Sequence, residues 1–260
     1  MPDHKDRVII ITGAAGAIGY ATARILAREG ASLMLVDIAD EALRARAAVL
    51  RATGATVEAF AADCAIESDV RGYVEATVER FGRIDGFFNN AGVEGTIAPL
   101  HDYEVDEFDR ILSVNLRGVF LGQRYVTREM VKQGKGSIVN TASIGSERGL
   151  AGGGAYNAAK HGVLGLTRTG ASEVGPLGIR VNCIEPGVIE TPLLNEVLDQ
   201  MYVGDIDKGL KEIGRVATLD RCGKPEEVGT VVSFLLSDDA AYVNGAAWEI
   251  DGGALATIRH

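Results

Sequence analysis

The sequence predicts an α/β fold in which one central parallel sheet is covered by helices on both faces. Short runs of β-branched and other apolar residues alternate with longer amphipathic stretches, as expected of βαβ units. The runs VIIIT, LMLV and SIVNT are apolar on successive residues, which is typical of strands buried on both faces. A chain of 260 residues, 47% of them hydrophobic, fits one large domain spanning residues 1–260 better than two small ones.

The elements follow in chain order. Apolar runs predict strands at Arg7–Ile11, Ser32–Val36, Thr56–Ala61, Ile84–Asn89, Gly136–Thr141 and Ile179–Ile184, and WEIDGG near the end predicts a last edge strand. Between the early strands, stretches with helical spacing stop at Gly30, Gly54 and Gly82, where glycine suits a left-handed cap. The connection Val188–Leu219 is longer and less regular than the others, and it is a candidate substrate lid at about 188–219.

Charge and cysteine content exclude several classes of function. A net charge of -10 argues against a nucleic-acid partner, because phosphate binding needs a basic surface. The amino terminus is charged and leads at once into a strand, so we expect no signal peptide, and no apolar stretch is long enough to span a membrane. Cys64, Cys183 and Cys222 lack the spacing of a zinc site or redox pair. We expect reduced thiols, a cytoplasmic protein and no metal site.

The segment TGAAGAIG, from Thr12 to Gly19, follows a strand and opens a helix. Glycines let a backbone approach a pyrophosphate, whose charge the helix N-terminus and its free N–H groups stabilise. The spacing alone is also that of an ordinary strand–helix turn. Asp37, which closes the next strand about 20 residues on, favours a dinucleotide site because its carboxylate can accept hydrogen bonds from a ribose. Its charge would repel the 2′-phosphate of NADP, and neither Ile38 nor Ala39 offers a compensating cation, so NAD is the predicted cofactor.

Tyr156 and Lys160 lie four residues apart in a run with helical spacing, so both side chains project from one face. Either residue alone would be better explained as a core tyrosine or a solvated helix lysine. Ser143, at the end of an apolar run, completes a group that indicates a dehydrogenase. His161 points about 100° away from Lys160 around the helix and is expected to be structural.

These motifs together resemble the short-chain dehydrogenase/reductase family, in its branch of roughly 250-residue subunits. The resemblance runs nearly from end to end. It is carried by TGAAGAIG, Asp63 after the third strand, the turn Asn89-Asn90-Ala91-Gly92, Asn115 in SVNLRGVF, Ser143, Tyr156-x3-Lys160, Pro186-Gly187 with Thr191, and Asp251-Gly252-Gly253. The resemblance implies a Rossmann-type, doubly wound sheet of about seven parallel strands, with three helices on each face and the site at the carboxyl ends of the strands.

The resemblance also implies roles for individual residues. The expected catalytic residues are Asn115, Ser143, Tyr156 and Lys160. The expected NAD-binding residues are Gly13, Ala15, Gly16, Ile18, Gly19, Asp37, Asp63, Cys64, Asn90, Ala91, Gly92, Tyr156, Lys160, Pro186, Gly187, Ile189 and Thr191. Asp63 is explained equally well as a helix cap or a solvated loop acid. Asn115 can also be explained as an asparagine that bonds a backbone carbonyl or marks a kink in its helix.

The expected chemistry is hydride transfer between a secondary alcohol and the cofactor. Tyr156 would remove the hydroxyl proton, with its pKa lowered from about 10 by Lys160 and by oxidised nicotinamide. Ser143 would hydrogen-bond the substrate oxygen. In the family, the residue matching Asn115 holds a water that links the lysine to solvent.

Substrate choice is expected to lie with Val93–Pro99, Ile144–Gly154 and Val188–Leu219. Glu94 and Glu147 could offer polar contacts or be exposed loop acids, and we favour the second. No arginine pair in these segments suggests a clamp for an anion. We therefore expect a neutral alcohol or ketone. The stretches GSIVNTASIGSERG and AYNAAKHGVLGLTR resemble those of bacterial NAD-dependent secondary-alcohol dehydrogenases and cyclic-ketone reductases, which favours a cyclic or aromatic substrate. The resemblance implies a homotetramer that pairs the helices at Asp106–Lys132 and Tyr156–Val174 in one interface and the last helix and strand in another.

Three rival functions stay open. They are an NADPH-dependent 3-oxoacyl carrier-protein reductase, a catalytically silent NAD-binding regulator, and an isomerase or dehydratase on the same fold. Asp37 and the acidic balance disfavour the first, because that enzyme would need basic residues for the 2′-phosphate and for its acidic carrier. The presence of both Tyr156 and Lys160 disfavours the second. Chain length and glycine spacing disfavour the third.

Overall fold

The computed structural model describes residues 2–202 and 205–256. Within them seven strands form one sheet in the order β3-β2-β1-β4-β5-β6-β7, and every neighbouring pair is parallel. The predicted seven-stranded parallel sheet is therefore confirmed. The strands are β1 (Val8–Thr12), β2 (Ser32–Asp37), β3 (Val57–Ala61), β4 (Gly86–Asn89), β5 (Gly136–Thr141), β6 (Ile179–Pro186) and β7 (Ala247–Ile250).

The helices of the described residues are α1 (Ala17–Arg28), α2 (Asp40–Ala52), α3 (Glu67–Phe81), α4 (Val105–Leu112), α5 (Gly118–Gln133), α6 (Gly154–Val174), α7 (Pro192–Met201), α8 (Ile206–Gly214) and α9 (Pro225–Leu236). A π-helical turn, Ser113–Arg117, joins α4 and α5 into one continuous rod. No helix in this part of the chain combines the length and hydropathy that crossing a lipid bilayer would require.

Successive side chains of β1 show how the two faces are covered. Ile9 and Ile11 belong to a core that includes residues of α1, α2 and α9, whereas Ile10 belongs to one that includes residues of α3, α5 and α6. All three isoleucines are fully buried. Because side chains alternate along a strand, a strand that is apolar at every position must be covered on both sides. Counting the α4–α5 rod as one helix, the described residues place three helices on each face, as predicted.

The ends of the first six strands differ from the predicted ones by at most two residues, whereas β7 stops at Ile250, three residues before the end of WEIDGG. β4 begins at Gly86 rather than at Ile84, and β6 continues two residues further, to Pro186. The three predicted helix-ending glycines, Gly30, Gly54 and Gly82, have φ values of +90°, +88° and +79°. That left-handed backbone strains any residue with a Cβ atom, which explains glycine at each position.

The connection at 188–219 is more regular than its sequence predicts, because it contains α7 and α8. Thr191 caps α7 by accepting a hydrogen bond from the N–H of Leu194 at 3.1 Å, and Pro192 occupies the first turn. The described part of this connection is therefore largely helical, and its role as a substrate lid stays a prediction. Short helices interrupted by Gly209 and Gly214 give a weak periodic signal.

The amino-terminal segment is fastened to the last helix. The ring Nε2 of His4 lies 3.1 Å from the carbonyl oxygen of Ser233 in α9, and both residues are buried. Arg7 donates a hydrogen bond to the carbonyl oxygen of Leu236 at 2.9 Å. One face of β1 is thus closed by residues from the opposite end of the chain.

Candidate active site

The glycine-rich turn lies between β1 and α1, at the carboxyl edge of the sheet. Gly13 has φ +66°, and a Cβ atom there would lie 2.8 Å from Nδ2 of Asn90. A Cβ atom on Gly19 would overlap the carbonyl oxygen of Gly13, whereas one on Gly16 would lie 3.3 Å from it. The first and last glycines are therefore required by the shape of the turn, which brings bare backbone to the surface.

The amino end of α1 fits a phosphate group. No side chain caps this helix, and the N–H groups of Ala17, Ile18 and Gly19 have no acceptor among the described residues. Unpaired first-turn N–H groups and the positive end of the helix dipole together attract an anion. The predicted positions of Gly16, Ile18 and Gly19 therefore suit the pyrophosphate of a dinucleotide.

The carboxylate of Asp37 lies at the end of β2, next to this turn. It accepts hydrogen bonds from the N–H of Ala15 at 2.9 Å and from the N–H of Ala39 at 3.0 Å. Each carboxylate oxygen can accept more than one hydrogen bond, so capacity is left for a ribose hydroxyl. Asp37 therefore has a structural role that the sequence did not reveal, and this role is compatible with the predicted one.

Asp63 and Cys64 follow β3 at the same edge. One carboxylate oxygen of Asp63 accepts a hydrogen bond from the N–H of Ala65 at 2.8 Å, and the N–H of Asp63 donates to Asp69 at 3.1 Å. Asp63 thus bonds the backbone of its own loop. Its second carboxylate oxygen is left for a ligand. Cys64, Cys183 and Cys222 are all free and buried, as expected, and burial raises the pKa of the Cys64 thiol to about 12.

Thr12 joins the ends of β1 and β4, where the chain order of the strands reverses. Its hydroxyl accepts hydrogen bonds from the N–H of Asn90 at 2.9 Å and from that of Ala91 at 3.1 Å. The side chain of Asn90 donates to the carbonyl oxygen of Thr12 at 3.0 Å. Open α/β sheets bind their ligands at such a reversal. The backbone of the predicted Asn90-Ala91-Gly92 site is therefore fixed there by Thr12, a residue to which the sequence motifs give no role.

Lys160 and Tyr156 lie on the first turns of α6, directly above β5. The ammonium of Lys160 is 3% exposed, donates a hydrogen bond to the carbonyl oxygen of Thr141 at 2.8 Å, and lies 5.4 Å from the centre of the Tyr156 ring. The predicted pairing is thus present, and Thr141 holds the lysine in place. His161 instead bonds the carbonyl oxygen of Asn157 in its own helix, at 2.8 Å.

Ser143 follows β5 and faces the tyrosine. Its hydroxyl forms a hydrogen bond with Tyr156 and accepts another from the N–H of Gly145 at 3.1 Å. The Ser146 hydroxyl in turn accepts the N–H of Ser143 at 3.1 Å. This reciprocal cap fixes the Ser143 side chain toward Tyr156.

The π-helical turn places Asn115 inside the protein, where it is fully buried. Its amide holds the backbone of Val93, accepting from the N–H at 2.9 Å and donating to the carbonyl oxygen at 2.7 Å. A Cβ atom on Gly92 would lie 2.8 Å from the Asn115 oxygen and 3.7 Å from the Lys160 nitrogen. Asn115 therefore does bond backbone at a distortion of its helix, and it does so beside Lys160.

Burial acts on the pKa values of both Tyr156 and Lys160. Burial raises the pKa of Tyr156, the charge of Glu94 adds to this, and the Ser143 hydrogen bond opposes it. Burial also lowers the pKa of Lys160 to about 8, against the opposing effect of Glu94. Burial is the largest influence on both pKa values, and it opposes the lowering of the Tyr156 pKa that we expect once oxidised nicotinamide is bound.

The remaining predicted cofactor residues follow β6. Gly187 donates its N–H to the carbonyl oxygen of Ile250 at 3.0 Å, and a Cβ atom there would lie 2.7 Å from the Cα atom of Asp251. Ile189 is buried, and Thr191 uses its hydroxyl as the α7 cap. Pro186 and Gly187 thus pack against the Asp251-Gly252-Gly253 turn.

The three predicted substrate segments touch one another. The N–H of Ile97 donates to Gln200 of α7 at 3.1 Å, and the N–H of Ala98 donates to the carbonyl oxygen of Gly152 at 3.2 Å. Glu147 is exposed as expected. The expectation for Glu94 is wrong, because this residue is half-buried and its charge acts on Tyr156. Loop residues carry no periodic pattern. Only the position of Glu94, two residues after Gly92, could have indicated that it lies near the site.

Comparisons with known proteins agree with this geometry. Residues 13–254 match a family model described as enoyl-(acyl carrier protein) reductase of the adh_short_C2 group. The chain is 50% identical to levodione reductase of Leifsonia aquatica over 95% of its length and 94% of that protein. It is 38% identical to cyclohexanol dehydrogenase of Acinetobacter sp. (strain SE19) over 95% of its length and 94% of that protein.

Solved structures give the same result. The crystal structure of levodione reductase superimposes with a TM-score of 0.96 at 48% identity, over 98% of this chain and 99% of that one. NAD+-bound xylitol dehydrogenase superimposes with a TM-score of 0.90 at 36% identity, over 96% of this chain and 99% of that one. The chain belongs to the short-chain dehydrogenase/reductase family of oxidoreductases.

Proposed function

We propose that this protein interconverts a neutral cyclic secondary alcohol and its ketone, with NAD as the hydride carrier. The observation that carries the proposal is the convergence of Ser143, Tyr156 and Lys160 at the carboxyl edge of the sheet. The names of two relatives, levodione reductase and cyclohexanol dehydrogenase, support a cyclic substrate.

The residues present fit a dinucleotide. Bare backbone at Gly13 and Gly19, the uncapped amino end of α1 and the carboxylate of Asp37 line one edge. Asp37 supports NAD over NADP, because a carboxylate repels a 2′-phosphate. The NAD+-bound xylitol dehydrogenase neighbour is consistent with this choice. Nicotinamide, when bound, supplies the hydride acceptor and a positive charge.

The protein's own groups handle the proton and the oxygen. Ser143 and the Tyr156 hydroxyl both hydrogen-bond the substrate oxygen, which holds the carbinol carbon in one position. Tyr156 accepts the hydroxyl proton as the carbon loses its hydride, and it returns a proton to the oxygen in ketone reduction. Lys160, held on Thr141, supplies the charge that stabilises tyrosinate during the step.

The test is absorbance at 340 nm with purified protein, cyclic secondary alcohols and either NAD or NADP, and the matching ketones with both reduced forms. NAD-dependent turnover is the expected result. Turnover with NADP alone would contradict the role of Asp37 and favour the carrier-protein reductase. Tight NADH binding without any turnover would favour the silent regulator.

We further propose a cytoplasmic homotetramer. The three buried, reduced thiols suit a reducing compartment. Exposed apolar side chains on the α4–α5 rod, among them Val105, Phe120 and Val131, support an interface on that rod. Size-exclusion chromatography with light scattering should give four times the 27.4 kDa chain mass, and a monomer at micromolar concentration would contradict the assembly.

A further inference from the structure

The backbone around Glu94 is held rigidly beside the catalytic group. Asn115 holds both the N–H and the carbonyl oxygen of Val93, the preceding residue. Arg110 donates to the carbonyl oxygen of Glu94 at 3.3 Å. Arg110 is itself fixed by two hydrogen bonds to Glu107, at 2.7 and 2.9 Å. These hydrogen bonds fix the backbone from which the Glu94 side chain extends, and a side chain that binds a ligand needs such a fixed position.

The Glu94 carboxyl group is electrostatically coupled both to the catalytic pair and to the lid. Its charge acts on both Tyr156 and Lys160, and the charge of Glu196 in α7 acts on it in turn. Gly92, two residues earlier, borders the Lys160 ammonium directly. The position of Gly92 beside Lys160 and these couplings together place Glu94 next to the space where substrate must sit.

Among residues 2–202 and 205–256, no hydrogen bond or ion pair reaches either carboxyl oxygen of Glu94. The residue is nevertheless half-buried, and burial raises the pKa of its carboxyl group. Its carboxyl oxygens are not sealed from solvent, so a ligand that enters the site can reach them. A ligand that donates a hydrogen bond would give the carboxyl group the partner that it lacks, whereas an anionic ligand would be repelled by Glu94 and Glu196 together.

We propose that the Glu94 carboxyl group binds a second hydroxyl group of the substrate, so that the enzyme selects a cyclic diol or hydroxyketone over the corresponding simple alcohol. This inference rests on the proposed function and names the substrate class more narrowly. The reacting hydroxyl is held by Ser143 and Tyr156, and the second hydroxyl is held by Glu94 across the ring.

The test compares cyclohexanol with the isomeric cyclohexanediols in NAD-dependent oxidation, using the wild type, Glu94→Leu and Glu94→Gln. Glu94→Leu keeps the approximate volume and removes the acceptor, while Glu94→Gln keeps an acceptor oxygen. Glu104→Gln, an exposed acid a few residues along the same connection, is the matched control. The electrostatic effect of Glu94 on Tyr156 and Lys160 is common to all these substrates. The ratio of kcat/KM for diol over cyclohexanol therefore isolates the contact.

We expect the wild type to prefer at least one diol isomer, and Glu94→Leu to lower the diol-to-cyclohexanol ratio about tenfold, as for a lost hydrogen bond to a charged group. Glu94→Gln should restore part of the ratio, and Glu104→Gln should leave it unchanged. An equal fall for all substrates, or no preference in the wild type, would overturn the inference while leaving the proposed function intact. A wild type inactive on every compound would instead overturn the proposed function, and this inference with it.

Discussion

The carboxylate of Asp37 accepts a hydrogen bond from the backbone N–H of Ala15 at 2.9 Å, so the acid that ends β2 also braces the turn that follows β1. One side chain thus combines a structural contact with the proposed selection of the cofactor. The two roles can be separated because Asn keeps an acceptor oxygen without the charge, whereas Ser is too short to keep the contact.

We expect Asp37→Ser to raise the KM for NAD about tenfold and to improve the use of NADP, because the repelling charge is gone. Asp37→Asn should improve NADP use while it disturbs the turn less, and this difference should appear in thermal melting. Kinetics with both cofactors measure the first effect. Glu41→Gln, an exposed acid in the first turn of α2, is the control. Unchanged cofactor preference in both variants would argue against a selecting role for Asp37.

Tyr156→Phe should lower kcat/KM by about 10²–10⁴-fold, since the variant loses the general acid–base. NADH binding, followed by fluorescence, should stay within a few-fold, because the ring and Lys160 are kept. Tyr242→Phe removes a hydroxyl from a fully exposed tyrosine and serves as the control. Full turnover by Tyr156→Phe would refute the assignment of the site.

Two glycines with different surroundings test the shape of the turn. Ala at Gly19 would drive its methyl group into the Gly13 carbonyl oxygen, so Gly19→Ala should lose about 1–3 kcal/mol of stability and most NADH affinity. Gly165 in α6 has open space where an added methyl group would lie, and Gly165→Ala should gain about 0.5–1 kcal/mol. Thermal melts and NADH titrations of both variants check this. Equal behaviour of the two would show that the turn tolerates a side chain.

Glu185, the last acidic residue of β6, should make stability depend on pH. It is 1% exposed, and one of its carboxyl oxygens has no partner among the described residues. Burial, the charges of Glu147 and Glu249 and a hydrogen bond with Glu147 raise its pKa to about 7, while Arg168 opposes them. The unfolded chain has the ordinary value of about 4.3.

Between those two pKa values the folded state binds more protons than the unfolded state, so this group's contribution to stability is lost as pH rises toward 7 and above. Glu185→Gln removes that loss. We expect the variant to be more stable than the wild type by about 1–3 kcal/mol at pH 8 and nearly equal at pH 4.5. Urea unfolding at the two pH values measures this difference. A constant difference across pH would show that Glu185 does not titrate in this range.

What the sequence could and could not predict follows from the kind of signal each residue carries. VIIIT and SIVNT reveal buried strands because every position is apolar, and Gly30 or Gly82 marks a helix end because few other residues adopt its backbone. Tyr156 and Lys160 are recognisable because helical spacing fixes their relation. These signals are local and periodic.

The features that escaped prediction depend on contacts across the fold. The role of Thr12 becomes visible only once β4 lies beside β1. Glu94 lies in a loop, where no pattern shows which way a side chain points. The direction of the Tyr156 pKa is set by desolvation, which a sequence does not display. Helices α7 and α8 are short, and Gly209 and Gly214 weaken the periodic pattern of α8.

The contact between His4 and Ser233 joins residues that are 229 positions apart, and this separation affects how the protein folds during its synthesis. At a synthesis rate of about 5–20 residues per second, α9 is made on the order of 10–50 s after β1. During that interval Ile9 and Ile11 cannot pack against α9, so part of their hydrophobic surface is exposed on the nascent chain. Chaperone engagement should therefore persist until the last helix leaves the ribosome, and truncation before α9 should yield aggregates rather than a smaller folded enzyme.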